Sequence, residues 1–267
     1  MRSLRVYAVL YLLFLYAPIV LLPIFAFNDS AVISFPLSGA TTQWFTGLAD
    51  EREMTGALRT SILIALISAS FATVLGIFAA MAGTRSDFPA KRPILGLIML
   101  PLVLPEVIVA TSLLIVIVQV FGLDPGAWSI IVAHVLICTP FSVAILNSAF
   151  QNLDPALEEA ALDLGESRRG AFRRVTLPLI VPGIVSSFLI AFTISLDEFI
   201  IAFFMSGNTT TLPVYIYGLT RFPGKMPLVM ALGTLLVAAS IILLIAAEAM
   251  RRRGLRRAGL KDTGGFL

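Results

Sequence analysis

Residues 57–83 read ALRTSILIALISASFATVLGIFAAMAG, with a single charge, Arg59, near the start. An α-helix rises 1.5 Å per residue, so a helix of this length reaches farther than the ~30 Å hydrocarbon layer of a bilayer. A helix satisfies its own backbone polar groups and can turn apolar side chains to lipid on every side. Outward from this run the pattern recurs at Leu4–Phe27, Pro93–Phe121, Trp128–Phe150, Val181–Phe204 and Pro227–Met250. The expected fold class is an all-α membrane protein of about six transmembrane helices.

Composition supports this. The chain of 267 residues is 58% hydrophobic and 13% charged, with a mean hydropathy of +0.96. Soluble domains carry about 45–50% apolar and about 25% charged residues. The net charge of +3 does not indicate a nucleic-acid partner, because the basic residues cluster beside the apolar runs. Cys138 is the only cysteine and His134 the only histidine. Neither an internal disulfide nor a Cys/His metal set is available, which excludes soluble metalloenzyme classes. The first run follows a basic start, as in a signal peptide. It is longer than the 7–15 apolar residues of such a core, contains Pro18 and Pro23, and reads as a retained helix.

Orientation follows from lysine and arginine. On one side lie Arg2, Arg5, Arg85, Lys91, Arg92, Arg168, Arg169, Arg173, Arg174 and the basic residues from Arg251 to Lys261. The other side holds Arg52, Arg59, Arg221 and Lys225. Both termini are expected in the cytoplasm of a multi-pass inner-membrane protein. The opposite side carries the acidic loop with Asp29, Asp50, Glu51 and Glu53, and Gly122–Gly126 forms a short turn there.

The segment 151–180 is longer than a simple connection. Asp154 before Pro155 predicts a helix N-cap followed by proline at the first helical position. Leu157, Ala160, Ala161 and Leu164 fall at i, i+3, i+4 and i+7, an apolar stripe. Glu158, Glu159 and Asp163 flank it, and Gly165 suits the left-handed position that ends a helix. Ser167 starts a second short helix through Val175, before Leu177-Pro178 leads back to the membrane. Such a stripe on the cytoplasmic face suits either a protein groove or the lipid headgroups. Its two alanines and lack of aromatics favour the groove.

Glu159-Ala160-Ala161, Gly165, Val175 and Leu177-Pro178 resemble the signature of permease subunits of binding-protein-dependent ABC importers. Val175 stands where that signature has Ile. The resemblance covers about Ala57 to Met250. It implies a coupling helix between the fourth and fifth spans, with Glu158, Glu159, Ala160, Ala161, Leu164 and Gly165 meeting an ATPase subunit. It divides the chain into 1–56 (first helix and outer loop), 57–250 (permease domain) and 251–267 (basic cytoplasmic tail). The implied partners are two ATPase subunits, a second and different permease chain, a periplasmic solute-binding protein and membrane lipid. No phosphate-binding Gly-x-x-x-x-Gly-Lys-Ser/Thr loop occurs. ATP and Mg are therefore expected on the ATPase partners, with no cofactor and no catalytic residue in this chain.

Three further stretches, Ala133–Phe141, Ser195-Leu196-Asp197-Glu198 and Thr211-Leu212-Pro213, resemble the spermidine/putrescine permease family. Charge inside a bilayer is costly, so Glu106, His134, Asp197 and Glu198 are the candidate substrate-pathway residues. Along straight helices Glu106 lies about 20 Å from Pro93, Asp197 about 24 Å from Val181 and His134 about 9 Å from Trp128. Acidic groups on a pathway favour a cationic solute, and polyamines are linear polycations. Another cationic or amino-acid-like solute remains open, and so does an ion-coupled transporter whose acids carry protons. Asp197 or Glu198 could instead cap a helix break or pair with a partner's basic residue, and His134 could be an interhelical hydrogen-bond donor. Cys138 reads as a small packing residue, and Pro101 and Pro105 as a kink beside Glu106.

Overall fold

The computed structural model describes residues 2–238, 241 and 242. The far part of the expected last span and the basic tail lie outside the described residues. Among the described residues the chain is helical, with one isolated β-bridge between Asn28 and Ala40. It forms two compact units, one running through Met54 and resuming at Ile216, the other spanning Thr55–Tyr215.

In the first unit, helix α1 (Arg2–Ala26) is apolar along its length and exposes Tyr7, Leu13 and Phe14. The loop after it closes on buried Asn28. Its side-chain oxygen accepts hydrogen bonds from the Ser38 backbone N–H (3.0 Å) and hydroxyl (3.2 Å), and its carbonyl accepts one from Trp44 Nε1 at 2.8 Å. Helix α2 (Gln43–Asp50) follows.

The second unit contains most of α3 (Arg52–Arg85), then α4 (Lys91–Met99), extended by a 3-10 turn to Leu102. Helix α5 (Glu106–Ile115) ends in a π turn to Val120. Helix α6 (Ala127–Gln151), the short α7 (Pro155–Asp163) and α8 (Arg168–Ala171) come next. A π turn, Phe172–Thr176, carries α8 directly into α9 (Leu177–Asp197), and α10 is Ile200–Met205. Helix α11 (Leu212–Leu219) begins in this unit, and α12 (Pro223–Ala238) belongs to the first.

Helix α6 is central, packing chiefly on α9. Ile130, Ala133, Ile137 and Cys138 meet Ala191, Ile201 and Met205 in the main core. Membrane helices lack a hydrophobic drive to associate and rely on close fit, which small residues permit. A Cβ on Gly76 would lie 2.8 Å from Ser142 Cβ, and one on Gly183 would lie 2.6 Å from Ala149 Cβ. Both distances are below van der Waals contact.

Four described helices are long and apolar enough to cross a bilayer, or five if the bent pair Lys91–Leu102 and Glu106–Val120 counts as one. That bend is 104°, so the Pro93–Phe121 run is not one kinked helix. Pro105 supplies no N–H and disfavours helical geometry at Leu104, so the chain must break there. Glu106 consequently opens α5, and its straight-line distance from Pro93 does not hold. The Val181–Phe204 run also divides. Its helix starts earlier, at Arg168, and stops at Asp197, because Glu198 adopts an extended backbone and its carboxylate accepts the Ile201 N–H at 2.9 Å. The second short helix beyond Ser167 is thus the foot of α9 rather than a separate piece.

The helix contacts give a first prediction. Gly183→Val and Gly76→Val should each destabilise the chain by about 1–3 kcal/mol through overpacking. Gly96→Ala, with nothing within 4 Å of the new Cβ, should not. Thermal midpoints in detergent, followed by size-exclusion chromatography, check the order.

Candidate functional site

The short helix α7 is built by local sequence. Asp154 accepts the Ala156 N–H at 3.0 Å as the N-cap of α7. At the other end Gly165 has φ +89°, its N–H bonding Leu162 O at 2.9 Å while the Glu166 N–H bonds Ala161 O at 3.1 Å. A left-handed residue there closes the helix, and glycine adopts it without a Cβ clash. Ser167 caps α8 by accepting the Gly170 N–H at 3.1 Å.

The expected four-residue stripe divides in space. Leu157, Ala160 and Leu164 are exposed, Leu164 at 88%, whereas Ala161 turns inward and is buried. Glu159 is exposed and Glu158 half-buried. The division follows the 100° step of the helix: Glu158 and Ala161, three apart, share the inner side. Glu158 Oε1 accepts from Thr176 Oγ1 at 2.8 Å and lies 3.4 Å from Arg85 Nε, an ion pair. Arg85 Nη2 also donates to Leu153 O at 3.2 Å. Beside them lies an open cavity of about 800 Å³ lined by Phe78, Arg85, Glu158, Leu162, Arg168 and Phe172. Glu166 and Arg174 form a further ion pair.

The four ionisable residues within the apolar runs fall into two settings. His134, on α6, is 1% exposed, and its Nδ1 lies 2.7 Å from Ser195 Oγ on α9. Its Nε2 has no hydrogen-bond partner among the described residues. Glu198 is buried and caps α10. Glu106, first in α5, and Asp197, last in α9, are both exposed on this chain. Helices α5 and α10 pack side by side, and Glu106 lies within electrostatic reach of Glu198. The acids therefore gather at two adjacent helix breaks, while His134 ties α6 to α9. Cys138 is buried, its thiol donating to Ala191 O at 3.4 Å. Ser195, Arg85 and Thr176 complete these contacts, yet as candidate residues they carry no signal in the sequence. Each finds its partner across the fold, up to 73 positions away for Arg85 and Glu158.

Apolar helices of spanning length, with a short capped helix on the loop between two of them, define a multi-pass membrane protein. Residues 72–256 match the binding-protein-dependent transport system inner membrane component, and the chain belongs to this family. It is 37% identical over 259 residues to the putrescine transport system permease protein PotI of Escherichia coli (strain K12), covering 92% of each chain. It is 32% identical over 240 residues to the spermidine/putrescine transport system permease protein PotC of the same strain, covering 90% of each. Among solved structures, one is a bacterial ABC transporter involved in the import of the acidic polysaccharide alginate. That match has TM-score 0.72 at 22% identity, over 94% of this chain and 96% of the other. An amino acid ABC transporter matches with TM-score 0.56 at 18% identity, over 79% of this chain and 99% of that one. Both structures share the fold. The chain is thus a permease subunit of an ABC importer.

The cap at the second break is testable. Glu198→Ala removes the acceptor of the Ile201 N–H and should cost about 0.5–2 kcal/mol, the range for lost N-caps. Glu198→Gln keeps a carbonyl oxygen and should cost less. Denaturation midpoints in detergent compare the two.

Proposed function

We propose that this chain is one permease half of an ATP-driven importer of polyamines such as putrescine and spermidine. The observation that carries the solute class is the convergence of Glu106, Asp197 and Glu198 at two adjacent helix breaks. A carboxylate in hydrocarbon is costly unless a cavity, partner or cation compensates it. Glu198 has the Ile201 N–H. Glu106 and Asp197 face outward from this chain, where a pathway between two permease chains would run, and a linear polycation offers them ammonium groups. The putrescine and spermidine/putrescine systems to which the relatives belong agree with that class.

The assembly has two permease chains, this one and a different second one, with two ATPase subunits that bind ATP and Mg and a periplasmic solute-binding protein. Both termini lie in the cytoplasm and six helices cross the membrane. The exposed side of α7, with Leu157, Glu159, Ala160 and Leu164, docks on the ATPase. ATP closes the ATPase dimer, α7 moves, and the pathway opens outward to receive solute; hydrolysis returns it inward.

Asp197→Asn keeps the shape and removes the charge. A lost charge-assisted hydrogen bond is worth about 1.5–3 kcal/mol, so the apparent affinity for putrescine uptake should weaken about ten- to hundredfold. Complex assembly should survive, and Glu106→Asn should act more weakly. Uptake at several putrescine concentrations, normalised to assembled complex, measures this; unchanged kinetics would remove Asp197 from the pathway. Topology is checked separately. In a Cys138→Ala background, Ser38→Cys should react with an impermeant thiol reagent in intact spheroplasts, and Ser167→Cys only after permeabilisation.

A further inference from the structure

Glu158 and Glu159 are neighbours on α7 and both line the cavity beside it, but their surroundings differ. Glu159 is exposed. The Glu158 carboxylate turns into the chain, where Thr176 Oγ1 donates to it at 2.8 Å and Arg85 Nε lies 3.4 Å away. The Arg85 and Glu158 side chains are only 20% and 26% exposed, and Thr176 is fully buried. Arg85 is the last residue of α3, and its other guanidinium arm holds the carbonyl of Leu153, just past α6. Thr176 closes the π turn that becomes α9. One small group of polar atoms thus joins the cytoplasmic ends of three long helices to α7.

Each contact suits its atoms. A carbonyl beyond a helix end lacks an intrahelical donor, and the planar guanidinium serves two acceptors at fixed spacing. Removing one member would leave a shielded charge without its counterpart, so the group resists separation. Of the α7 side chains beside Glu158, Ala161 is buried but small and cannot supply such directional contacts. We propose that Arg85, Glu158 and Thr176 form the tie through which movement of α7 reaches α3 and α9 together. Glu158 is therefore a positioning residue inside the permease and not a contact to the ATPase. The proposal rests on the coupling role of α7 given above.

Two measurements test it. In the full chain in nanodiscs, with Cys138→Ala, nitroxides at Asp87→Cys and Ala156→Cys report the distance from the end of α3 to α7 by electron paramagnetic resonance. The distribution should be narrow in the otherwise unaltered chain, in Thr176→Ser and in Asp163→Asn. A second, longer population should appear in Arg85→Gln, Glu158→Gln and Thr176→Val. In proteoliposomes holding the whole importer, those three variants should assemble, and ATP hydrolysed per putrescine imported should rise about fivefold or more, the lower end of typical coupling factors. Thr176→Ser should stay near the original ratio, which a merely structural role for the site would not require. Unchanged distance distributions overturn the tie. Broadened distributions with an unchanged ratio overturn its role in transmission. An unaltered importer that takes up no putrescine overturns the polyamine reading instead, and the distance measurement then decides the tie.

Discussion

Inside a bilayer a backbone N–H or C=O finds no water, and every interruption of a helix must supply its own partners. This chain interrupts its helices twice within apolar sequence, and each interruption has a visible chemical cause. At Pro105 the missing N–H removes a donor that would otherwise be orphaned. At Glu198 the side chain itself accepts the Ile201 N–H in the first turn of α10. The two breaks lie side by side because α5 packs on α10, which also packs on α6. Placement of Glu106 and Glu198 follows from this, since a helix start is where a carboxylate is best tolerated, whereas Asp197 ends α9.

The bundle around the breaks is held by close approach more than by bulk. Gly76 against Ser142 and Gly183 against Ala149 let α3 and α9 lie directly on α6. The His134–Ser195 contact fixes α6 to α9 nearer the second break. Single hydrogen bonds between membrane helices are worth about 0.6 kcal/mol on average, so this pair sets register more than it adds stability. The contacts among Arg85, Glu158 and Thr176 perform a similar task at the other end of α9.

Much of this architecture is legible in the sequence because hydrophobic length and capping chemistry are local properties. The first, second and fourth apolar runs match α1, α3 and α6 with ends displaced by one to a few residues. Asp154-Pro155 and Gly165 bracket α7 as their own chemistry requires. The breaks were less legible. Hydropathy is blind to a turn of 104°, and proline indicates weakness in a helix without saying how far the chain will swing. Spacing alone groups Ala160 with Ala161, whereas the fold separates them because Arg85 and Thr176 draw Glu158, and Ala161 with it, inward. No local pattern announces a partner that lies in another helix, which is also why Ser195 carries no mark as the companion of His134.

The helical run from Arg168 to Asp197 is continuous over 30 residues and touches α6 most intimately at Gly183. At 1.5 Å per residue that point lies about 22 Å from Arg168 and about 21 Å from Asp197. A rod with a central fulcrum has arms of nearly equal length, so its two ends travel by similar amounts in opposite senses. Gly183 thus divides this run into two arms of nearly equal length, one ending at Arg168 and the other at Asp197.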